Sequence, residues 1–162
     1  MFGNLNEKEI DALISSQLVG RIGCHADGIT YVVPVSYAYE ENCLYIHTKE
    51  GMKISMMRKN PKVCFQTDHL DDMANWKSVV AWGEFEELND PDERTAGLQK
   101  LLHRKLPLIS SETTHLSPLW PFAPVDAMDI PGIIYRIRLT KKTGRFEEST
   151  NLAFASRKYQ AM

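Results

Sequence analysis

The sequence predicts a mainly β protein: an antiparallel barrel of about six strands with flanking helices. Apolar and polar residues alternate with the period of a half-buried strand in several runs, such as 18–26 and 133–139. Asp27-Gly28 follows the first of these runs and has the residues of the tight turn that joins antiparallel neighbours. No regular strand-helix-strand alternation is present, so a parallel sheet is not expected.

The strands and helices can be placed in order from their start and stop signals. The predicted strands cover 18–26, 29–39, 43–48, 62–68, 76–88 and 133–139. Helices are predicted from the capping box of Asn6 and Glu9 to about Gln17, between Gly51 and Pro61, and after the Asp90-Pro91 start. These elements form hairpins linked by two longer helical crossovers, which is typical of a barrel.

Two segments depart from this regular pattern. Pro34 interrupts the second strand, and proline cannot donate to a ladder, so we expect a sheet edge, a bulge or the close approach of another group there. Residues 106–131 contain five prolines and are predicted to be largely irregular. We interpret residues 1–148 as a single domain and residues 149–162 as a polar C-terminal tail.

Composition argues against several classes of function. The 162 residues carry a formal net charge of -2, so no strongly positive surface is expected for nucleic acid or anionic lipid. No apolar run approaches the roughly 20 residues that span a bilayer, and we expect a cytoplasmic protein. Cys24, Cys43 and Cys64 are far apart and form no CxxC pair, which argues against a disulfide framework and a metal site.

The segment YIHTKEGMK, residues 45–53, is the strongest candidate binding site. His47 and Thr48 end a strand, and Lys53 lies in the first turn of the helix that opens after Gly51. A helix N-terminus carries free N–H groups and partial positive charge, so a hydroxyl and an ammonium beside it make a plausible phosphate site. The pattern is neither a Walker loop nor a dinucleotide glycine motif. The alternative is a Lys53 that is merely solvated.

Motifs along most of the chain agree with one family. The order of VVPVSYAY, LYIHT, GMK and RKNPKVCF resembles the pyridoxamine 5'-phosphate oxidase-like superfamily, particularly its small FMN-binding branch that includes nitroimidazole-resistance proteins. SVVAWGEFEEL before the DPDER helix and YRIRLTKKTGRFE near the end agree in order and spacing, whereas residues 106–131 match poorly. The resemblance implies a six-stranded split barrel that forms a homodimer and holds FMN in a groove between subunits.

The same resemblance implies which residues surround the cofactor. The residues around the FMN phosphate would be His47, Thr48, Met52 and Lys53, and His47 is also the candidate proton donor. The residues along the isoalloxazine would be Val33, Pro34, Val35 and Ser36, with Gln66 as a polar ring contact and Trp82 near the flavin. Three of these have alternatives: His47 as a polar strand end, Ser36 as a solvent-facing residue, and Trp82 as core or dimer interface.

Two positions separate the chain from the true vitamin B6 oxidases. Tyr31 stands where the resemblance would place an arginine and Ser36 where it would place a lysine, and tyrosine cannot replace a bidentate phosphate ligand. We therefore expect an FMN-dependent oxidoreductase that takes electrons from NAD(P)H or another donor and reduces a small organic acceptor, for example a nitroaromatic. The alternatives are a flavin or haem carrier, with His25, His47 or His103 as axial ligand, and a dimeric scaffold without cofactor.

Overall fold

A computed structural model describes residues 1–104 and 130–149, and within them a single antiparallel sheet curls into a barrel against three helices. The strands are β1 Phe2–Asn4, β2 Val19–Ala26, β3 Ile29–Ser36, β4 Ala38–Glu40, β5 Cys43–Thr48, β6 Lys62–Asp72, β7 Asn75–Glu87 and β8 Ile133–Glu147. The helices are α1 Glu7–Ser16, α2 Met52–Lys59 and α3 Pro91–His103. Nearly all of the predicted irregular segment 106–131 and of the tail 149–162 lies outside the described residues.

The strand order is β3-β2-β6-β7-β8-β5-β4, and β1 pairs with β8. All of these pairs are antiparallel. Strands β3 and β4 are the two ends of the order, yet Tyr37 alone separates them in the chain. The sheet must therefore bend back on itself, and β3 approaches β5 without forming a ladder with it. This arrangement confirms the predicted mainly β split barrel, and Pro34 lies on an edge strand as expected.

Local signals predicted the start of each helix. Asn6 and Glu9 form the expected capping box on α1. Asp90 accepts hydrogen bonds from the backbone of Asp92 and Glu93 at the start of α3. Asp27 and Gly28 both have positive φ, as a tight primed hairpin turn requires. These caps and this turn depend on neighbouring residues only, which is why the sequence was sufficient to predict them.

The bounds of two predicted strands differ from those in the structure. The predicted strand 29–39 is divided at Tyr37, because β3 pairs with β2 whereas β4 pairs with β5. Tyr37 is buried at this break, and its hydroxyl donates to the carbonyl of Ile14 at 2.7 Å. Strand β8 continues to Glu147 rather than ending at 139, because it pairs with β7 on both sides of an irregularity after Trp82. Its last residues also pair with the unpredicted strand β1.

The main core fills the barrel and the space beneath α1 and α2. Its fully buried side chains include Ile14, Ile22, Leu44, Met57 and Phe65. A second, smaller cluster lies beneath α3.

The three cysteines are free. Cys24 and Cys43 are buried, and Cys64 is half-buried. Within the described residues, no helix has the length and apolarity needed to cross a membrane.

Candidate functional site

Lys53 and Thr48 meet where strand β5 leads into helix α2. The Lys53 ammonium donates to the Thr48 hydroxyl at 2.5 Å, and Thr48 is buried. Among the described residues, Lys53 makes no ion pair with a carboxylate. Burial lowers the pKa of Lys53, because the charged form is disfavoured away from water. A desolvated cation without a counter-ion favours the approach of an anion.

The N-terminus of α2 beside Lys53 lacks a side-chain cap. Gly51 occupies the N-cap position and supplies no side-chain hydrogen bond to the first turn. A Cβ atom added to Gly51 would meet no atom within 4 Å, so this end of the helix faces open space. The amides of a first helical turn have no acceptor inside the helix and carry the positive end of its dipole. The end of α2 therefore adds N–H donors to the charge of Lys53.

His47 packs against the loop that precedes β8. Its Nε2 lies 2.8 Å from the carbonyl oxygen of Pro131, and because a carbonyl only accepts, Nε2 carries the proton. Gly132 has a φ of +102°, and a Cβ there would lie 2.6 Å from the Thr48 carbonyl oxygen and 2.9 Å from His47 Nε2. The loop can approach the end of β5 only because position 132 has no side chain.

Ser36 ends the edge strand β3, which approaches β5 without pairing with it. The Ser36 hydroxyl accepts a hydrogen bond from Nη1 of Arg104 at 2.9 Å. Val35 is buried and Val33 is half-buried towards the barrel, whereas Pro34 is exposed.

A second feature is a groove on the outer face of β2, β3, β6 and β7, with a volume of about 550 Å³. The strand register aligns Val32, Gly23, Cys64 and Trp82 in a row across its floor. Val32 and Trp82 are 62% and 41% exposed, and the Trp82 ring also lies 5.3 Å from the Lys141 ammonium. This groove is shallow and mostly apolar. It lies on the outer face of the sheet, whereas Lys53 lies on the opposite side.

Gln66 lies at one end of this groove with its amide held by neighbours. Its Oε1 accepts from Arg21 at 3.2 Å, and its Nε2 donates to Asp68 at 2.7 Å and to Ser78 at 3.2 Å. Arg21 also pairs with Asp68 at 2.8 Å. The network fixes which way the amide points, so Gln66 is oriented before any ligand arrives.

The predicted site residues therefore fall into two groups within one chain. The residues at the barrel mouth are Val33, Pro34, Val35, Ser36, His47, Thr48, Met52 and Lys53, and among them the structure pairs Lys53 with Thr48 directly. Met52 is exposed beside this group. Gln66 and Trp82 lie on the opposite face of the sheet.

Sequence reasoning missed Arg104, which contacts Ser36 although 68 positions separate them. The cap at Asp90 fixes where α3 begins, but only the packing of α3 on the barrel brings its C-terminal end to β3.

Sequence and structure comparisons identify the family that has this fold. A family model described as pyridoxamine 5'-phosphate oxidase matches residues 6–146. The chain belongs to this family. A crystal structure of an FAD-binding protein from Mesorhizobium loti is 31% identical, covers 91% of this chain and 99% of its own, and superposes with a TM-score of 0.70.

Two further relatives are more distant or only partly aligned. A candidate 5-nitroimidazole antibiotic resistance protein from Bacteroides thetaiotaomicron is 19% identical, with a TM-score of 0.69 over 90% of this chain and 87% of its own, and shares the fold. An uncharacterized protein of Rhizobium meliloti is 36% identical over 84 residues, which are 52% of this chain and 56% of that protein. The chain thus spans little more than half the length of this curated relative.

Proposed function

We propose that the protein binds FMN and acts as an oxidoreductase. The observation that carries this proposal is the Lys53 ammonium, which is half-buried beside Thr48 at an uncapped helix start with no carboxylate partner among the described residues. A phosphate group supplies the missing negative charge and accepts from the ammonium and from first-turn amides. The donor set fits a flavin phosphate, and the family to which the chain belongs supports a flavin as its carrier.

The other residues at the barrel mouth have roles that follow from their positions. When bound, the flavin supplies the electron-transfer chemistry. Val33 to Ser36 form the end of an edge strand, so their backbone can offer polar groups to the ring edge. His47 lies at the end of β5, where its Nε2 donates to the Pro131 carbonyl and fixes the ring, and it is the candidate proton donor of the proposed site.

The proposed reaction takes electrons from NAD(P)H or another donor to a small organic acceptor, for which a nitroaromatic is the specific candidate. The nitroimidazole-resistance and FAD-binding relatives support this choice. Tyr31 and Ser36 are uncharged and cannot pair with a substrate phosphate as arginine and lysine would, which argues against vitamin B6 phosphates as the substrate.

We also propose a homodimer, because it would let one flavin site use both groups of predicted residues. Lys53 and Thr48 lie on one side of the sheet and Gln66 and Trp82 on the other, so a single chain does not bring them together. A second copy seated on the exposed groove would cover Val32 and bring its own barrel mouth towards Gln66 and Trp82. Light scattering should give twice the 18.5 kDa of one chain. Val32→Glu should yield monomers, whereas Leu102→Glu, on α3, should not.

One absorbance spectrum of the purified protein tests the cofactor proposal. We expect the yellow flavin spectrum, and mass analysis of the released ligand distinguishes FMN from FAD. Oxidation of NADPH upon addition of a 5-nitroimidazole then tests the reaction. A colourless protein that acquires no flavin spectrum when FMN is added would refute the proposal.

The alternative function is carriage of a flavin or haem without turnover. A haem would need an axial ligand, and His25, His47 and His103 already bond to Thr30, Pro131 and Gln99 respectively. A Soret band in the spectrum would establish haem binding, and flavin binding without NADPH oxidation would support a carrier.

A further inference from the structure

A cavity of about 830 Å³ lies between the C-terminal ends of α1 and α3, above strand β4. Its apolar and aromatic walls include Ile14, Leu18, Tyr37 and Ala96. The hydroxyl of Tyr37 is already bonded to the Ile14 carbonyl, so the ring contributes mainly apolar surface. Polar side chains of α1, β4 and α3 line the rest of the space. A concave space that combines apolar walls with polar groups able to orient a ligand is typical of small-molecule sites.

Basic groups of α3 line one side of this cavity. Lys100 is neutralised by Glu40, whose Oε2 lies 2.6 Å from its ammonium. The imidazole of His103 donates through Nδ1 to the carbonyl of Gln99 at 2.7 Å. Among the described residues, no carboxylate forms an ion pair with Arg104.

The Arg104 guanidinium is also incompletely hydrogen-bonded. Nη1 donates to Ser36, whereas Nε is buried without a hydrogen-bond partner in the described part of the chain. A buried donor without an acceptor is energetically unfavourable. Burial also lowers the pKa of Arg104 to about 10, whereas carboxylate partners raise the pKa of Arg58, Lys100 and Arg136. A partly buried guanidinium with a free donor is a suitable partner for an anionic group.

We propose that this cavity binds an organic anion, with its carboxylate or phosphate group paired to Arg104 and its apolar body against the tyrosine and α1 walls. The proposal uses the contacts of the cavity itself and does not rest on the flavin function. If the flavin proposal is also correct, Ser36 lies at the border between the flavin site and this cavity, and the anion binds beside the cofactor. The planar fork of arginine matches the two oxygens of either group.

Isothermal titration of the purified full chain tests the proposal with three matched probes. Benzoate and phenyl phosphate carry the two anionic groups on the same ring, and neutral benzamide keeps the ring without the charge. We expect at least one anion to bind about tenfold or more tighter than benzamide, the gain from a charge-assisted hydrogen bond. The better of the two anions identifies the preferred group. This comparison needs no variant, so it remains valid if changes at Arg104 impair folding.

Variants then assign the binding to Arg104. Arg104→Gln should bring the favoured anion to the affinity of benzamide, and Arg104→Lys should recover part of the loss. Lys8→Gln removes one exposed positive charge on α1 and should leave affinity unchanged. The proposal is overturned if neither anion binds more tightly than benzamide, or if Arg104→Gln binds it as tightly as the parent protein. Flavin content, read from the same samples by absorbance, reports separately on the proposed function.

Discussion

The Lys53 ammonium lies 2.5 Å from the Thr48 hydroxyl, and no carboxylate among the described residues neutralises it. A lysine near a helix N-terminus also opposes the helix dipole. The placement is thus unfavourable for the protein alone and becomes favourable once an anion binds. A residue whose placement destabilises the protein in the absence of ligand is expected at a functional site rather than in a purely structural part of the fold.

Lys53→Met should weaken FMN binding and stabilise the protein without ligand. Loss of a charge-assisted bond to phosphate should cost about 1–3 kcal/mol of binding free energy. Replacement of a half-buried, unpaired charge by an apolar side chain of similar length should raise the free energy of unfolding of the apoprotein by up to about 1 kcal/mol. Fluorescence titration and denaturant unfolding measure the two effects.

Riboflavin provides the ligand control, since it lacks the phosphate and should bind both proteins equally. Lys59→Gln provides the protein control, because Lys59 lies at the other end of α2 and pairs with Asp27. Equal loss of riboflavin and FMN affinity would show that Lys53 does not contact the phosphate.

Gly51→Asp should improve the helix and impair the site. The position faces open space and has an extended φ of 171°, so a side chain is tolerated there. Aspartate caps better than glycine by a few tenths of a kcal/mol, but its carboxylate would repel the phosphate. We expect FMN affinity to fall about tenfold or more, the effect of one unfavourable charge in a partly buried site.

Gly51→Ser separates capping from charge. Serine caps α2 without negative charge, so it should stabilise the helix slightly and leave FMN affinity nearly unchanged. Titrations of both variants with FMN measure the difference. If Gly51→Asp binds FMN as well as Gly51→Ser does, the phosphate does not lie at this helix end.

Local sequence signals were sufficient for most of the fold and for the proximity of Lys53 to Thr48. Capping residues, turn residues and alternating apolar positions placed every helix and the long strands, and the residues around Lys53 are close in sequence. The break at Tyr37 was not predictable, because neither Tyr37 nor its neighbours Ser36 and Ala38 form a turn or strand-breaking signal. The change of partner from β2 to β5 is visible only when the barrel closes.

The division of the site between two faces was equally hidden from the sequence. Gln66 on β6 and Trp82 on β7 lie on the same face of the sheet. Whether that face points into the barrel or outwards depends on how the sheet curls, which the sequence does not reveal. Arg104 carries no local motif, and its contact with Ser36 results from the way α3 packs on the barrel. Long-range packing, rather than local preference, determines these features.

Gly132→Ala should destabilise the protein and disturb His47. The residue has a φ of +102°, and an added Cβ would meet the Thr48 carbonyl oxygen at 2.6 Å. Strain and overlap together should lower the free energy of unfolding by about 2 kcal/mol or more. Gly28→Ala is the control, because Gly28 also has a positive φ but has no atom within 4 Å of an added Cβ. Its cost should be only about 1 kcal/mol. Equal losses in the two variants would contradict a tight contact at position 132.

Glu86 should contribute to stability in a way that depends on pH. Both carboxylate oxygens of Glu86 accept from Arg136, at 2.6 and 2.7 Å, and this pairing lowers the pKa of Glu86. The unfolded chain therefore binds a proton at a higher pH than the folded chain does. The stabilisation is fully present above the unfolded pKa, near 4.3, and is lost as pH falls through the lower folded pKa.

Glu86→Gln should accordingly flatten the acid limb of the stability curve. At neutral pH the change should cost up to about 1 kcal/mol, because the pair is partly exposed and screened by solvent. Denaturant unfolding between about pH 5 and pH 3 should show a smaller loss of stability in the variant than in the parent. Glu84→Gln is the matched control, since Glu84 lies two residues earlier on β7 and forms no ion pair within the described residues. If Glu86→Gln keeps the slope of the parent protein, the ion pair seen in the fold contributes nothing to acid stability.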